Sequence, residues 1–269
     1  DSLVYHARGM GVTFRLGENV SDVRRVGPNS AAVELESGKR VLGETVLFSV
    51  GRQGDTEHLN LEAAGLEPDS RGRIKASGYF QTDVPHIYAV GDIIGFPSLA
   101  SASMEQGRAA VCHAFDEFAP DLGEIPYGLF TVPEISLIGK NEQQLTADHV
   151  PYEVGLARFS EIARGQIVGD DTGLLKLLFH RETREVLGVH AIGESATEII
   201  HIGQAVMALG GTIEYFRDTV FNYPTMAECY KVAALDGLNK LAAYDDADWH
   251  AEDPCEEAPA GEEQEPAAV

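Results

Sequence analysis

The chain has 269 residues, 44% of them hydrophobic, enough for one large domain or two moderate ones with a real core. Its formal net charge of -23 argues against nucleic acid or an anionic membrane surface as partner, because both need clustered Lys and Arg. No apolar stretch approaches the roughly 18 to 20 residues of a bilayer span, so a membrane is excluded as well.

The opening Asp1-Ser2-Leu3-Val4-Tyr5-His6 has no basic stretch leading into an apolar one. No signal peptide is read, and a cytoplasmic setting is the default. A helix ends near Gly9 and Gly11, and Val12-Thr13-Phe14-Arg15-Leu16 reads as a short strand. Ala32-Val33-Glu34-Leu35-Glu36 alternates apolar and polar, Ser37-Gly38-Lys39 turns the chain, and Lys39 to Leu42 returns as the second arm of a hairpin. Glu44 to Val50 is nearly all apolar, as a strand buried on both faces is, and it stops at Gly51-Arg52.

Gln53 to Leu66 reads as loop and weak helix, and Ile74-Lys75-Ala76 as extended. Ile87-Tyr88-Ala89-Val90 reads as a buried strand closed by Gly91-Asp92. From Leu99 to Phe115 the apolar spacing is helical, with Ser98 as N-cap. Pro120 to Pro126 looks like a boundary. Beyond it, strands are expected at Ile135–Ile138, Tyr152–Leu156, Gly173–Phe179 and Val186–Ala191, then helices at Ser195–Leu209 and Met226–Leu241. This is α+β organisation. From Asp245 to Val269 acids accumulate with no Lys or Arg, beside Pro254, Pro259 and Pro266, and the segment reads as disordered and solvated.

The cysteines Cys112, Cys229 and Cys255 lie far apart, in neither Cys-x2-Cys nor Cys-x4-Cys spacing, so reduced thiols are expected. The histidines have no zinc-ligand spacing, and no metal site is expected. No strand, Gly-x-Gly-x-x-Gly, helix unit opens a dinucleotide site: Gly9 and Gly11 precede a strand, and Gly210-Gly211 follow a helix and stop it. A strand and a hairpin without partners are not stable alone, so the simplest expectation is a piece of a longer protein.

Thr82 followed by Ile87-Tyr88-Ala89-Val90-Gly91-Asp92 resembles the second FAD motif of the pyridine nucleotide-disulphide oxidoreductases, flavoproteins of the glutathione-reductase type. A strand there delivers one carboxylate at its carboxyl end, where open α/β sheets bind ligands. The resemblance implies that Asp92, after Gly91, meets the ribityl hydroxyls of FAD. It implies that Ser98-Leu99-Ala100-Ser101 brings backbone N–H groups to the flavin pyrimidine edge. A helix N-terminus carries about half a positive charge and would stabilise the anion that grows there on reduction.

Val50-Gly51-Arg52 is similar to the end of the family's NAD(P)-binding domain, with Gly51 allowing close approach of the pyridine nucleotide. Thr131-Val132-Pro133-Glu134 and Glu194 to Ile200 resemble its dimerisation domain, which implies a homodimer.

Phe221-Asn222-Tyr223-Pro224-Thr225-Met226-Ala227-Glu228 departs from the disulfide reductases, which place His before Pro as acid–base for a thiol and hold it with the downstream Glu. Imidazole titrates near neutrality and a phenol near 10, so a tyrosine is a poor thiol base. The stretch is similar to the soluble transhydrogenase branch. That implies FAD-dependent hydride transfer between NADPH and NAD+, with Tyr223 and Glu228 near the flavin of the second subunit.

The expected fold class is α/β plus α+β, the remnant of NAD(P)- and FAD-binding Rossmann-like domains followed by an α+β dimerisation domain. The expected division is 1–52 (NAD(P)-binding), 53–122 (FAD-binding), 123–242 (dimerisation) and 243–269 (disordered tail). Two alternatives stay open: a dihydrolipoamide dehydrogenase-like disulfide reductase, and a non-catalytic dimerisation module.

Overall fold

The strands of the second half organise the better-packed part of the chain. The computed structural model describes residues 1–118 and 121–251, with side chains to 243, and the chain divides into units at 1–123 and 124–269.

In the first unit, α1 (Ser2–Gly9) precedes β1 (Val20–Gly27), β2 (Ser30–Leu35) and β3 (Arg40–Gly43), which form an antiparallel sheet in the order β1-β2-β3. The expected hairpin is β2–β3. The unexpected strand is β1, whose polar sequence Val-Ser-Asp-Val-Arg-Arg-Val-Gly carries no burial signal. It forms through pairing, and Glu34 on β2 takes Arg24 of β1 at 2.9 Å and Arg40 of β3 at 3.2 Å. The remaining long element is α2 (Ala100–Ala114).

Four expected strands do not form here. Residues 12–16, 44–50 and 74–76 are irregular, and 87–90 makes only the isolated bridge Gln81↔Tyr88. A strand needs a neighbour to take its N–H and C=O groups, whatever its apolar pattern. Among the described residues none pairs with 44–50, and Leu47, Phe48 and Val50 stand 88%, 80% and 74% exposed. The pattern describes the burial these residues are suited to; the partners that would supply it are not in the described sheet.

The second unit contains β4 (Tyr127–Leu129), β5 (Ile135–Gly139), α3 (Glu142–Ala147), β6 (Tyr152–Arg158), α4 (Ala163–Val168), β7 (Leu174–His180), β8 (Val186–Ile192), α5 (Ala196–Ala208), α6 (Ile213–Asp218) and α7 (Glu228–Ala251). All four long strands were legible as β5, β6, β7 and β8. They form one antiparallel sheet in the order β4-β5-β8-β7-β6. Ile138, Leu175, Leu177, Val189 and Ala191 alternate onto one face and meet α5 and α7 through Ile200, Tyr230 and Ala233. Each fully buried Leu or Ile contributes about 1.5–3 kcal/mol relative to exposure.

The edge strand β6 is closed by α7. Gly155 has no Cβ because one would fall 2.0 Å from the Ala233 carbonyl oxygen, so the helix lies directly on the strand. Asp236 of α7 accepts the Leu156 N–H at 2.8 Å, occupying a donor that an open edge would present to another chain.

Helix α7 starts two residues later than expected and runs on to Ala251, into residues read as tail. Ala242, Ala243 and Ala247 favour helix, and no proline intervenes before Pro254. The rest of the expected tail, 252–269, lies outside the described residues.

Candidate functional site

The expected carboxylate, Asp92, sits in a single 3-10 turn, Gly91–Ile94, entered from Val90 in extended conformation. Thr82 prepares the approach: its hydroxyl donates to the Ile87 carbonyl at 2.9 Å, and its backbone N–H reaches the same oxygen at 2.9 Å. Gly91 then takes φ +78°, which glycine adopts without strain, and it lies against α2, where a Cβ would come 3.0 Å from Ser103 Oγ. The Gly91 N–H donates to Gln106 Oε1 at 2.7 Å, and Gln106 is 2% exposed.

The Asp92 side chain is 49% exposed, so its oxygens are open to a ligand. The nearest cation is Arg52, Nη1 to Oδ2 3.6 Å, itself 88% exposed. Such a pair contributes little to stability, about 0–1 kcal/mol. It does bring together two residues singled out from separate motifs. Gly51 takes φ +108°, and nothing lies within 4 Å of where a Cβ would be, so its own requirement here is the backbone angle.

Ser98 is not the cap of α2. Its hydroxyl donates to the Gly95 carbonyl at 3.0 Å, and Leu99 occupies the N-cap position in extended conformation with no side-chain cap. The first intrahelical bond runs from the Ser103 N–H to the Leu99 carbonyl. The amides of the first turn, at Ala100 and Ser101, therefore receive no side-chain acceptor from the cap and keep their attraction for an anion. A half-exposed carboxylate and an uncapped helix start are thus linked through Gly91, Gln106 and α2.

Tyr223 and Glu228 belong to the second unit. Tyr223 is 74% exposed. Glu228 opens α7, its N–H reaching the Thr225 carbonyl at 3.4 Å, while Thr225 Oγ1 donates to the Asn222 carbonyl at 2.7 Å. Glu228 Oε2 is buried without a hydrogen-bond partner. Next to it Cys229 is fully buried, and burial pushes its thiol well above the ordinary range, so no reactive thiolate arises there.

Sequence reading missed Gln106. The signal was present: it shares the buried face of α2 with Ala102, Ala109 and Ala110, where a polar side chain requires a partner. The partner's identity lies fifteen residues away and is not a local property.

Residues 2–107 match the family described as pyridine nucleotide-disulphide oxidoreductase, and residues 125–234 match its dimerisation domain. A soluble pyridine nucleotide transhydrogenase of Mycobacterium tuberculosis is 54% identical over 244 residues, 90% of this chain and 52% of the relative. That of Aliivibrio fischeri is 54% identical over 247 residues, again 90% and 52%. The chain thus spans about half the length of the curated relatives it matches. Among solved structures, the HOCl-induced flavoprotein disulfide reductase RclA of Escherichia coli superposes with TM-score 0.81 at 25% identity, over 87% of this chain and 54% of that one. LpdA of Mycobacterium tuberculosis gives 0.79 at 25%, over 87% and 51%.

Proposed function

This chain belongs to the pyridine nucleotide-disulphide oxidoreductase family, and from that premise we propose that it is part of a flavoprotein that transfers hydride between NADPH and NAD+. The supporting observation is that the Asp92 turn is tied through Gly91 and Gln106 to α2, whose start is uncapped; in the sequence, a C-terminal motif carries Tyr223 where a thiol-handling enzyme needs an imidazole.

In this reading residues 1–52 close an NAD(P)-binding domain, 53–122 an FAD-binding domain, and 123–242 form the dimerisation domain of a cytoplasmic homodimer. FAD, if held here, would supply the hydride-transfer chemistry. The protein's part is to hold and polarise. Asp92 accepts hydrogen bonds from ribityl hydroxyls. The amides of Ala100 and Ser101, backed by the α2 dipole, favour negative charge at the pyrimidine edge. Arg52, 3.6 Å from Asp92, follows Gly51, whose open surroundings leave room for a pyridine nucleotide. Exposed Tyr223 offers a phenol and an aromatic face where the disulfide reductases place an imidazole for the downstream Glu to hold. A thiol relay has no proton carrier here, whereas hydride exchange between two nicotinamides needs none.

The likeness to a disulfide reductase makes thiol chemistry the alternative to exclude. The full-length protein is purified and its visible spectrum recorded. NADPH oxidation is then followed with NAD+ and, separately, with a small disulfide. A yellow protein absorbing at about 450 nm that turns over NAD+ and leaves the disulfide intact is expected. Asp92→Ala should lose flavin. A colourless protein after reconstitution with FAD, or turnover confined to the disulfide, refutes the proposal.

A further inference from the structure

We infer that Gln106 is the positioning residue of the cofactor site: it fixes the Asp92 turn against α2, and so sets where the carboxylate stands relative to the helix's amide end. The inference rests on the flavin reading above and adds to it a residue that touches no ligand.

The buried residues of α2 are small and apolar, Ala102, Ala109 and Ala110, with one polar exception, Gln106, which meets the Gly91–Ile94 turn. An all-apolar face would leave the Gly91 N–H without an acceptor, and a buried unpaired N–H is strongly disfavoured. Gln106 Oε1 supplies that acceptor at 2.7 Å. Ser103, one turn earlier on the same helix, fills the space where Gly91 lacks a Cβ. Its own hydroxyl is held by the Leu99 carbonyl at 2.8 Å, so the contact is fixed from both sides.

The turn therefore meets the helix at two points, one of shape and one of hydrogen bonding. Shape alone prevents closer approach but allows the turn to lift or slide along the alanines. The Gln106 bond removes that freedom. Asp92 is the residue after Gly91, and Ala100 and Ser101 lie within one turn before Ser103 and within two turns before Gln106 on the same helix. The two groups that would grip one flavin are thus referenced to each other through this bond. A displacement of about 1 Å is enough to spoil a pre-organised polar site.

The test uses the flavin-loaded full-length protein. Flavin release is followed by recovery of FAD fluorescence, and the band positions of the retained flavin are recorded. Gln106→Met, close in size but without an acceptor, should release flavin about tenfold faster, the equivalent of one buried hydrogen bond, and shift the flavin bands. Gln106→Glu keeps an oxygen for the Gly91 N–H and should return release to within about threefold of the parent. If Gln106→Met does not fold, Gln106→Asn, which draws the amide back by one methylene, should show the same release and band shift. Wild-type release and unshifted bands in Gln106→Met, even with a lowered melting temperature, would overturn the positioning role while leaving the flavin reading intact. A parent protein that binds no FAD overturns both.

Discussion

His190 allows a quantitative test of how the second unit is built. It lies on β8, opposite Leu137 of β5 and Lys176 of β7. Its Nε2 is buried with no hydrogen-bond partner. Burial pushes its pKa down from 6.5 to about 4, and the Lys176 ammonium pushes the same way. The Lys140 carbonyl and the Glu142 carboxylate act in the opposite sense and lose. Glu142 is itself engaged by Lys176 at 3.1 Å.

The folded protein thus keeps His190 neutral where the unfolded chain would protonate it. Above pH 6.5 neither state binds the proton and stability does not change on this account. Between 6.5 and about 4 the unfolded state binds more protons, so stability falls as pH falls. The full span corresponds to about 3 kcal/mol, and the part lost between pH 7.5 and pH 5 to about 2 kcal/mol. His190→Gln removes the titration and keeps a polar side chain of similar reach. Urea unfolding of both proteins at the two pH values, followed by a probe in the second unit, gives the difference of differences, in which other titrating groups cancel. We expect the parent to lose about 2 kcal/mol more than the variant. Equal losses, or an imidazole proton resonance that titrates near 6.5 in the folded protein, would refute the reasoning.

Two further substitutions probe the same unit. Tyr230, fully buried between α7 and α5, donates to the Ile199 carbonyl at 2.8 Å and accepts the Gly203 N–H at 3.0 Å, inserting its hydroxyl between groups that would otherwise bond directly along α5. Tyr230→Phe should destabilise by about 1–2 kcal/mol, read from urea midpoints, because the helix can reclose only part of the gap. Asp236→Ala strips the Leu156 N–H on the β6 edge and the Lys240 ammonium, 2.6 Å away, of their shared acceptor. A loss of about 1–2 kcal/mol is expected in the same assay, with Asp236→Asn, which retains one acceptor, losing less than half of it.

The second unit was legible because its signals are local. Leucines at 175 and 177 alternate with residues on the other face, and β5, β6, β7 and β8 find one another within the chain, so the pattern that suggests a strand also finds its ladder. The short elements β4, α3, α4 and α6 were missed because three to six residues carry too little periodicity. Helix α3 had a readable start, since Asn141 and Gln144 cap one another, but its length gives no apolar stripe.

In the first unit the same reasoning over-reads. Val46 to Val50 is as apolar as any strand of the second unit, yet it pairs with nothing among the described residues, because an apolar run specifies burial and leaves the partner unspecified. The candidate site divides along the same line. Asp92 was singled out because a motif names its chemistry. Arg52, forty residues earlier, was singled out from a second motif, but its place 3.6 Å from Asp92 was not foreseen. Gln106 carries no motif at all. What singles it out is a requirement of the backbone of a residue elsewhere: Gly91 in a left-handed conformation has a buried N–H, and the one amide among the buried residues of α2 accepts it. Residues of this kind become visible only once the backbone hydrogen bonds of a functional turn are accounted for one by one. The flavin-release experiment on Gln106→Met therefore tests a class of residue that sequence patterns pass over.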